Sequence, residues 1–238
     1  MDPQVLIVLG FIVLAAGALV LLSFGPRFRV GRLLAATPDV PIAAAVEAAS
    51  AGRAGYVRVA GRIDSETDFE DHAHRPLVLR RTRIQVGRPW GWRTVDAQTE
   101  AVPFRINEGL DSLAVDAAAL GPGLVVVVRE SVGRAADIAD RVPAGTPPSA
   151  RVRAVIEQVS AIDHAIALGV PVRDADGGTT LTAGMGRPLI LTTLERDEAM
   201  RVLTGGDRRR TLLATGLLAG GLVLLVTGLV FSALGVAL

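Results

Sequence analysis

The chain contains no cysteine and no lysine. Without cysteine there are no disulfides, no thiolate-bound zinc and no thiol nucleophile. Without lysine, Schiff-base chemistry and lysine-linked ubiquitin-like modification are excluded within the chain. All 25 basic residues are arginine, and 24 acidic residues balance them to a formal net charge of +1. That balance gives no electrostatic reason to expect a nucleic-acid partner. Nucleophile and nucleotide motifs are missing too. There is no G-x-S-x-G elbow, and Gly121-x-Gly123 lacks the rest of either phosphate-binding pattern. No cofactor is implied.

Charge is also missing from both ends. Residues 5–24 and 212–238 hold no ionisable side chain. At 1.5 Å per residue, each run can cross a hydrocarbon core of about 30 Å. The expectation is therefore two transmembrane helices, at 5–24 and 212–236. The only charges before the first run are Asp2 and the α-amine, and arginines follow it, which fits an uncleaved anchor better than a signal peptide. Uncharged spans offer no proton relay. Gly10 and Gly17 share one helix face, and Gly216 and Gly220 form a small-xxx-small pair followed by Gly221 and Gly228. Missing side chains let helix backbones approach, either within the chain or between copies.

Arginine placement orients the chain. Arg27, Arg29 and Arg32 follow the first run, and Arg201, Arg208, Arg209 and Arg210 precede the second, while the outer flanks hold none. The positive-inside bias puts the intervening domain in the cytoplasm with both termini outside the plasma membrane. Those arginines also suit anionic headgroups. The partners implied are the lipid bilayer and a protein or a second copy joined through the transmembrane helices.

Between the runs the pattern is mostly strand. Residues 25–54 form a juxtamembrane segment in which Ile42, Ala45, Val46 and Ala49 fall at i, i+3, i+4 and i+7, a short amphipathic helix. From residue 55 onward, strands are predicted at 56–63, 77–86, 113–115, 152–159, 165–172, 179–182 and 189–192, with one or two more within 92–106. The unbroken apolar run 124–129 predicts a strand buried on both faces. Residues 194–203 read as a closing helix, and 205–211 as a basic hinge. The fold class expected is an α+β membrane protein, with two spans flanking one barrel- or sandwich-like β-rich domain at 55–204.

Few residues suggest chemistry. The densest polar cluster, residues 64–74, offers Asp68, His72 and His74 as divalent-cation ligands, or else forms a solvated loop. Ser160, Asp163 and His164 have triad residue types, but triad members usually converge from distant segments. Trp90 and Trp92, with Arg88 and Arg93, could meet a headgroup interface or a partner; alternatively the indoles pack on the strands. Glu157, inside a strand, is expected to pair with an arginine.

Several blocks taken together resemble one family. They are YVRVAGRI at 56–63, RPLVLRRTRIQV at 75–86, PFRINEGLDSLAVDA at 103–117, residues 151–172 and RPLILTTLERDEAMRVL at 187–203. Their order resembles the GIDE domain, also called BAM ("beside a membrane"), of the MULAN mitochondrial E3 ubiquitin ligases, which hold it between two membrane spans. The resemblance implies a membrane-tethered domain that binds or positions something. It does not carry over ligase activity, since a RING finger needs cysteines that this chain lacks. The family's acidic, glycine-rich turn is here Asn107-Glu108-Gly109. The reading is a non-catalytic interaction or scaffold protein. The alternative is a metal-dependent or hydrolytic membrane enzyme using the 64–74 cluster.

Overall fold

The computed structural model describes residues 3–22, 25–89, 91–205 and 208–234. Its helices are α1 (Pro3–Leu22), α2 (Gly25–Ala36), α3 (Ile42–Ser50), α4 (Arg196–Gly205) and α5 (Arg208–Leu234). The chain divides into two compact units, one of Met1–Arg32 with Met200–Leu238, the other Leu33–Ala199.

In the first unit α1 packs along α5. A Cβ on Gly10 would meet Leu225 N at 2.8 Å and Gly221 O at 3.0 Å, and Gly17 sits against Leu217 and Leu218. On α5, Gly221 and Gly228 face Leu14 and Ile7, whereas Gly216 and Gly220 look into open space. The small-xxx-small pair therefore lies off this contact. Residue 221 is turned about 100° from residue 220, which is enough to change faces. Among the described residues one helix is long and apolar enough to cross a membrane, Leu212–Ala233. Among the described residues the apolar stretch of α1 is Gln4–Val20. At 1.5 Å per residue it covers roughly 25 Å, short of a bilayer's hydrocarbon core. The expected fold class, with two flanking spans, is corrected accordingly to one such helix and a β-rich unit.

The second unit carries twelve strands among the described residues: β1 (Val57–Asp64), β2 (Phe69–Glu70), β3 (Pro76–Arg88), β4 (Gly91–Ala101), β5 (Phe104–Glu108), β6 (Asp111–Val115), β7 (Leu124–Val125), β8 (Arg129–Arg134), β9 (Arg151–Ser160), β10 (His164–Arg173), β11 (Thr179–Thr182) and β12 (Ile190–Thr192). The order β1-β5-β6-β11-β10 closes into a ring because β1 also pairs with β10, and β12 and β7 extend it. Alternate residues point inward, as a half-buried strand requires. Val59 and Ile63, Phe104 and Ile106, Leu113 and Val115, and Ala165 and Ala167 fill the core. Gly169 lies where strands crowd: a Cβ there would meet Thr182 O at 2.7 Å.

Helix α3 lays Ile42 and Ala45 into the same core. Pro41 at its start has no side-chain cap, and Glu108 Oε2 accepts the Ile42 N–H at 2.8 Å instead. An acceptor at that end satisfies an orphan donor and complements the helix dipole.

The second sheet is open, with β3 flanked by β4 on one side and β9 on the other, and β8 beyond β9. The apolar run 124–129 is not one strand. Leu124–Val125 pairs in the ring as β7, Val126 stays buried, Val127 and Val128 are exposed, and β8 begins at Arg129 in the other sheet. The run is apolar because its first half is core. Its second half is a crossing between sheets.

Candidate functional site

Side chains alternate along the open sheet, so neighbouring arginines in β3 part company. Arg80 and Thr82 share one face with Gln98 and Glu100 of β4 and with Ile156 and Gln158 of β9, because the register sets them side by side. Arg129 of β8 lies opposite Ile156 on that face. The loop after β2 and the turn of 3₁₀ helix at Ala135–Arg141 wall the face into a cleft of about 750 Å³.

Asp71 builds one wall. Its Oδ1 accepts the N–H groups of Ala73 at 2.8 Å and Arg75 at 3.0 Å, and its Oδ2 accepts Nε and Nη2 of Arg75 at 3.0 and 2.7 Å. The Arg75 backbone N–H above all, then the Arg75 guanidinium, holds this carboxyl down to about 2. His74 adopts φ +55°, a left-handed conformation that closes the loop. Elsewhere around the cleft Arg80 Nη2 donates to Glu100 Oε2 at 2.6 Å, and Arg141 donates through Nε and Nη2 to Asp96 Oδ2 at 3.0 and 2.7 Å. Arg129 comes within 4.0 Å of Asp71 Oδ2, beyond hydrogen-bond reach, and stays largely exposed. Four arginines (75, 80, 129 and 141) thus face three carboxylates (Asp71, Asp96 and Glu100), and Arg129 is the cation with capacity to spare.

On the opposite face Glu157 is buried between Arg83, whose Nη2 donates to Oε1 at 2.6 Å, and Arg81, at 3.7 Å from Oε2. Arg81 Nη1 also donates to Gly121 O at 2.6 Å.

The residues singled out in the sequence are scattered. Asp68 and His72 are exposed, and His74 Nδ1 lies 2.7 Å from Glu70 Oε2. Among the described residues no three His, Asp or Glu side chains come together in a way that could hold a metal ion. Ser160, Asp163 and His164 do not form a triad. Asp163 Oδ2 accepts the Ser160 N–H at 3.0 Å, Ser160 Oγ donates to Pro76 O at 2.8 Å, and His164 is exposed opposite Arg62. Trp92 lies under Arg153 at 4.6 Å and Arg151 at 5.9 Å, so two cations of β9 cover its ring. Arg88 and Arg93 are exposed near the hairpin tip, and Trp90 lies outside the described residues. Arg29 and Arg32 are exposed on α2, while the side chains of Arg27, Arg208, Arg209 and Arg210 lie outside those described.

Sequence reasoning missed the gathering of Arg80, Arg129 and Arg141, which come from three separate segments. The one legible signal was the alternation in LRRTRI, which already sends Arg80 and Arg81 to opposite faces.

No protein-family model, curated protein or solved structure matches this chain.

Proposed function

We propose that this chain is a membrane-associated, non-catalytic interaction module resembling the GIDE domain, with the arginine-lined cleft of its open sheet as the recognition surface. One observation supports the non-catalytic part: the carboxylates of Asp71, Asp163, Glu108 and Glu157 are committed to structure. Asp71 organises its loop, Asp163 caps a turn, Glu108 caps α3 and Glu157 neutralises two arginines. The apolar Leu212–Ala233 segment supplies the membrane association. Arg208–Arg210 immediately precede it in the sequence, and the positive-inside bias then puts them, with the preceding domain, at the cytoplasmic face of the plasma membrane.

The test is site-specific photocrosslinking in cells, with a benzophenone amino acid at His72 on the cleft rim or at exposed Arg53 as control. The chain is expected in the membrane fraction, released by detergent. A discrete protein adduct is expected from His72 but not from Arg53, lost on Arg129→Glu. A chain that remains soluble, or equal adducts from both sites, would overturn the reading.

A further inference from the structure

The carboxylates of the arginine cleft are unevenly placed. Asp96 and Glu100 both stand on β4, whereas Arg129 stands on β8, with β3 and β9 between them. Three strand spacings put about 14 Å of sheet between β4 and β8. That exceeds the Debye length of about 8 Å at physiological ionic strength. Each β4 carboxylate also holds an arginine of its own, Arg141 on Asp96 and Arg80 on Glu100. Among the described residues only Asp71 comes within 4.0 Å of Arg129.

Asp71 has nothing left to offer it. A carboxylate has about four lone-pair sites. Asp71 fills them with the N–H groups of Ala73 and Arg75 and with Nε and Nη2 of Arg75. Arg75 also balances its charge, so Arg75, Asp71 and Arg129 together carry one positive charge in excess. Glu70, next along the chain, does not line the cleft and lies against His74. The Arg129 guanidinium donates no hydrogen bond among the described residues, and its side chain is 58 % exposed. Its surroundings are uncharged. Across the sheet from Arg129 lie Ile156, Thr82 and Gln98 in turn. The side chains of Thr82 and Gln98 bond to nothing else among the described residues. Val127 and Val128, which immediately precede Arg129, are exposed. A cation with open donors therefore sits between an apolar shoulder and a neutral polar floor.

We infer that Arg129 anchors one acidic side chain, Asp or Glu, in a partner-protein segment whose neighbouring residues are apolar. The planar guanidinium takes the carboxylate through two parallel N–H···O bonds. An apolar neighbour of that acid covers Val127 and Val128 and removes their surface from water. Thr82 and Gln98 face the segment's main chain. One excess positive charge matches a monoanion, whereas a phosphoryl group brings nearly two negative charges and would leave one uncompensated beside Asp71. This rests on the cleft reading and names the partner's chemistry.

The test uses the full chain in detergent micelles and fluorescent peptides of sequence Ser-Gly-Val-X-Val-Gly-Ser, read by anisotropy. X is glutamate, glutamine, phosphoserine or lysine. The glutamate peptide is expected to bind saturably and about fivefold tighter than the glutamine peptide, with phosphoserine and lysine both weaker than glutamate. Arg129→Glu is expected to reverse the order, so that lysine binds tightest. Equal behaviour of the glutamate and glutamine peptides on the unaltered chain, including no saturable binding by either, would overturn the inference whether or not the variant folds. So would tighter binding of phosphoserine, or a folded Arg129→Glu protein that still prefers glutamate. A cleft-dependent His72 adduct combined with equal glutamate and glutamine binding would sink this inference and leave the cleft reading standing. Equal adducts from His72 and Arg53 would sink the reading beneath it.

Discussion

The two sheets of the second unit solve opposite problems with the same chain. The ring closes on itself, so its strands have partners on both sides and its inward residues are apolar and nearly inaccessible. The open sheet ends in β4 and β8, and both its faces carry arginines paired with carboxylates. Closure spends every backbone group internally, while an open sheet leaves donors, acceptors and charge for something else. Stability therefore concentrates in the ring, and the proposed recognition surface lies in the sheet beside it.

Truncation should expose that asymmetry most strongly. Leu113→Ala, in the centre of the ring, removes a side chain with 0 % exposure and should cost about 2–5 kcal/mol by chemical denaturation. Arg129→Ala in the cleft should stay within about 0.5 kcal/mol while abolishing any cleft-dependent crosslink. Comparable losses from the two would erase the distinction.

Glu157→Gln tests whether the open sheet has an interior of its own. It leaves Arg81 and Arg83 without a counter-charge, and we expect a loss of about 2 kcal/mol, less than for a fully buried pair because Arg83 is about a third exposed. A neutral result would mean solvent already screens the site.

Two titrations read the sheets separately. Tyr56, the one tyrosine in the chain, donates to Pro188 O at 2.7 Å, and burial pushes its hydroxyl up to about 12 despite the opposing Arg187. Its stabilisation is complete below the ordinary value near 10 and is lost as pH rises toward 12. Absorbance of the phenolate in the folded protein should show that delayed transition, and Tyr56→Phe should flatten the stability profile there. Asp71 behaves in the opposite sense. Its folded value of about 2 lies below the ordinary 3.8, so its contribution is present above about 4 and fades as pH falls toward 2. The stability difference between the native chain and Asp71→Asn should shrink over that range. A difference independent of pH would mean the amide replaces the carboxylate in the loop.

Local pattern carried the elements far better than the site. Residues 77–86 and 152–159 read as strands and are β3 and β9, and the spacing of Ile42, Ala45 and Ala49 marks the buried stripe of α3. The apolar run 124–129 misled because hydropathy alone cannot distinguish a doubly buried strand from a segment leaving one sheet for another. Beyond the alternation in LRRTRI the arginine cleft left no signal, since Arg80, Arg129 and Arg141 belong to separate segments, 49 and 12 positions apart. The Asp64–His74 stretch drew attention through density, yet its key member, Asp71, bonds to its own loop.

Chemistry confined to neighbouring residues was settled by the order of amino acids: the missing thiols and amines, the apolar C-terminal helix, and the strand and turn periods. Those features depend on residue type and on contacts a few positions apart. Folding in three dimensions decided the rest. The β1–β10 closure, the division of β3's arginines between two partners, and the gathering of Arg80, Arg129 and Arg141 at one cleft arise from pairings across long stretches of chain. Such pairings are chosen by competition among many similar strands, and no single strand records which neighbour it wins.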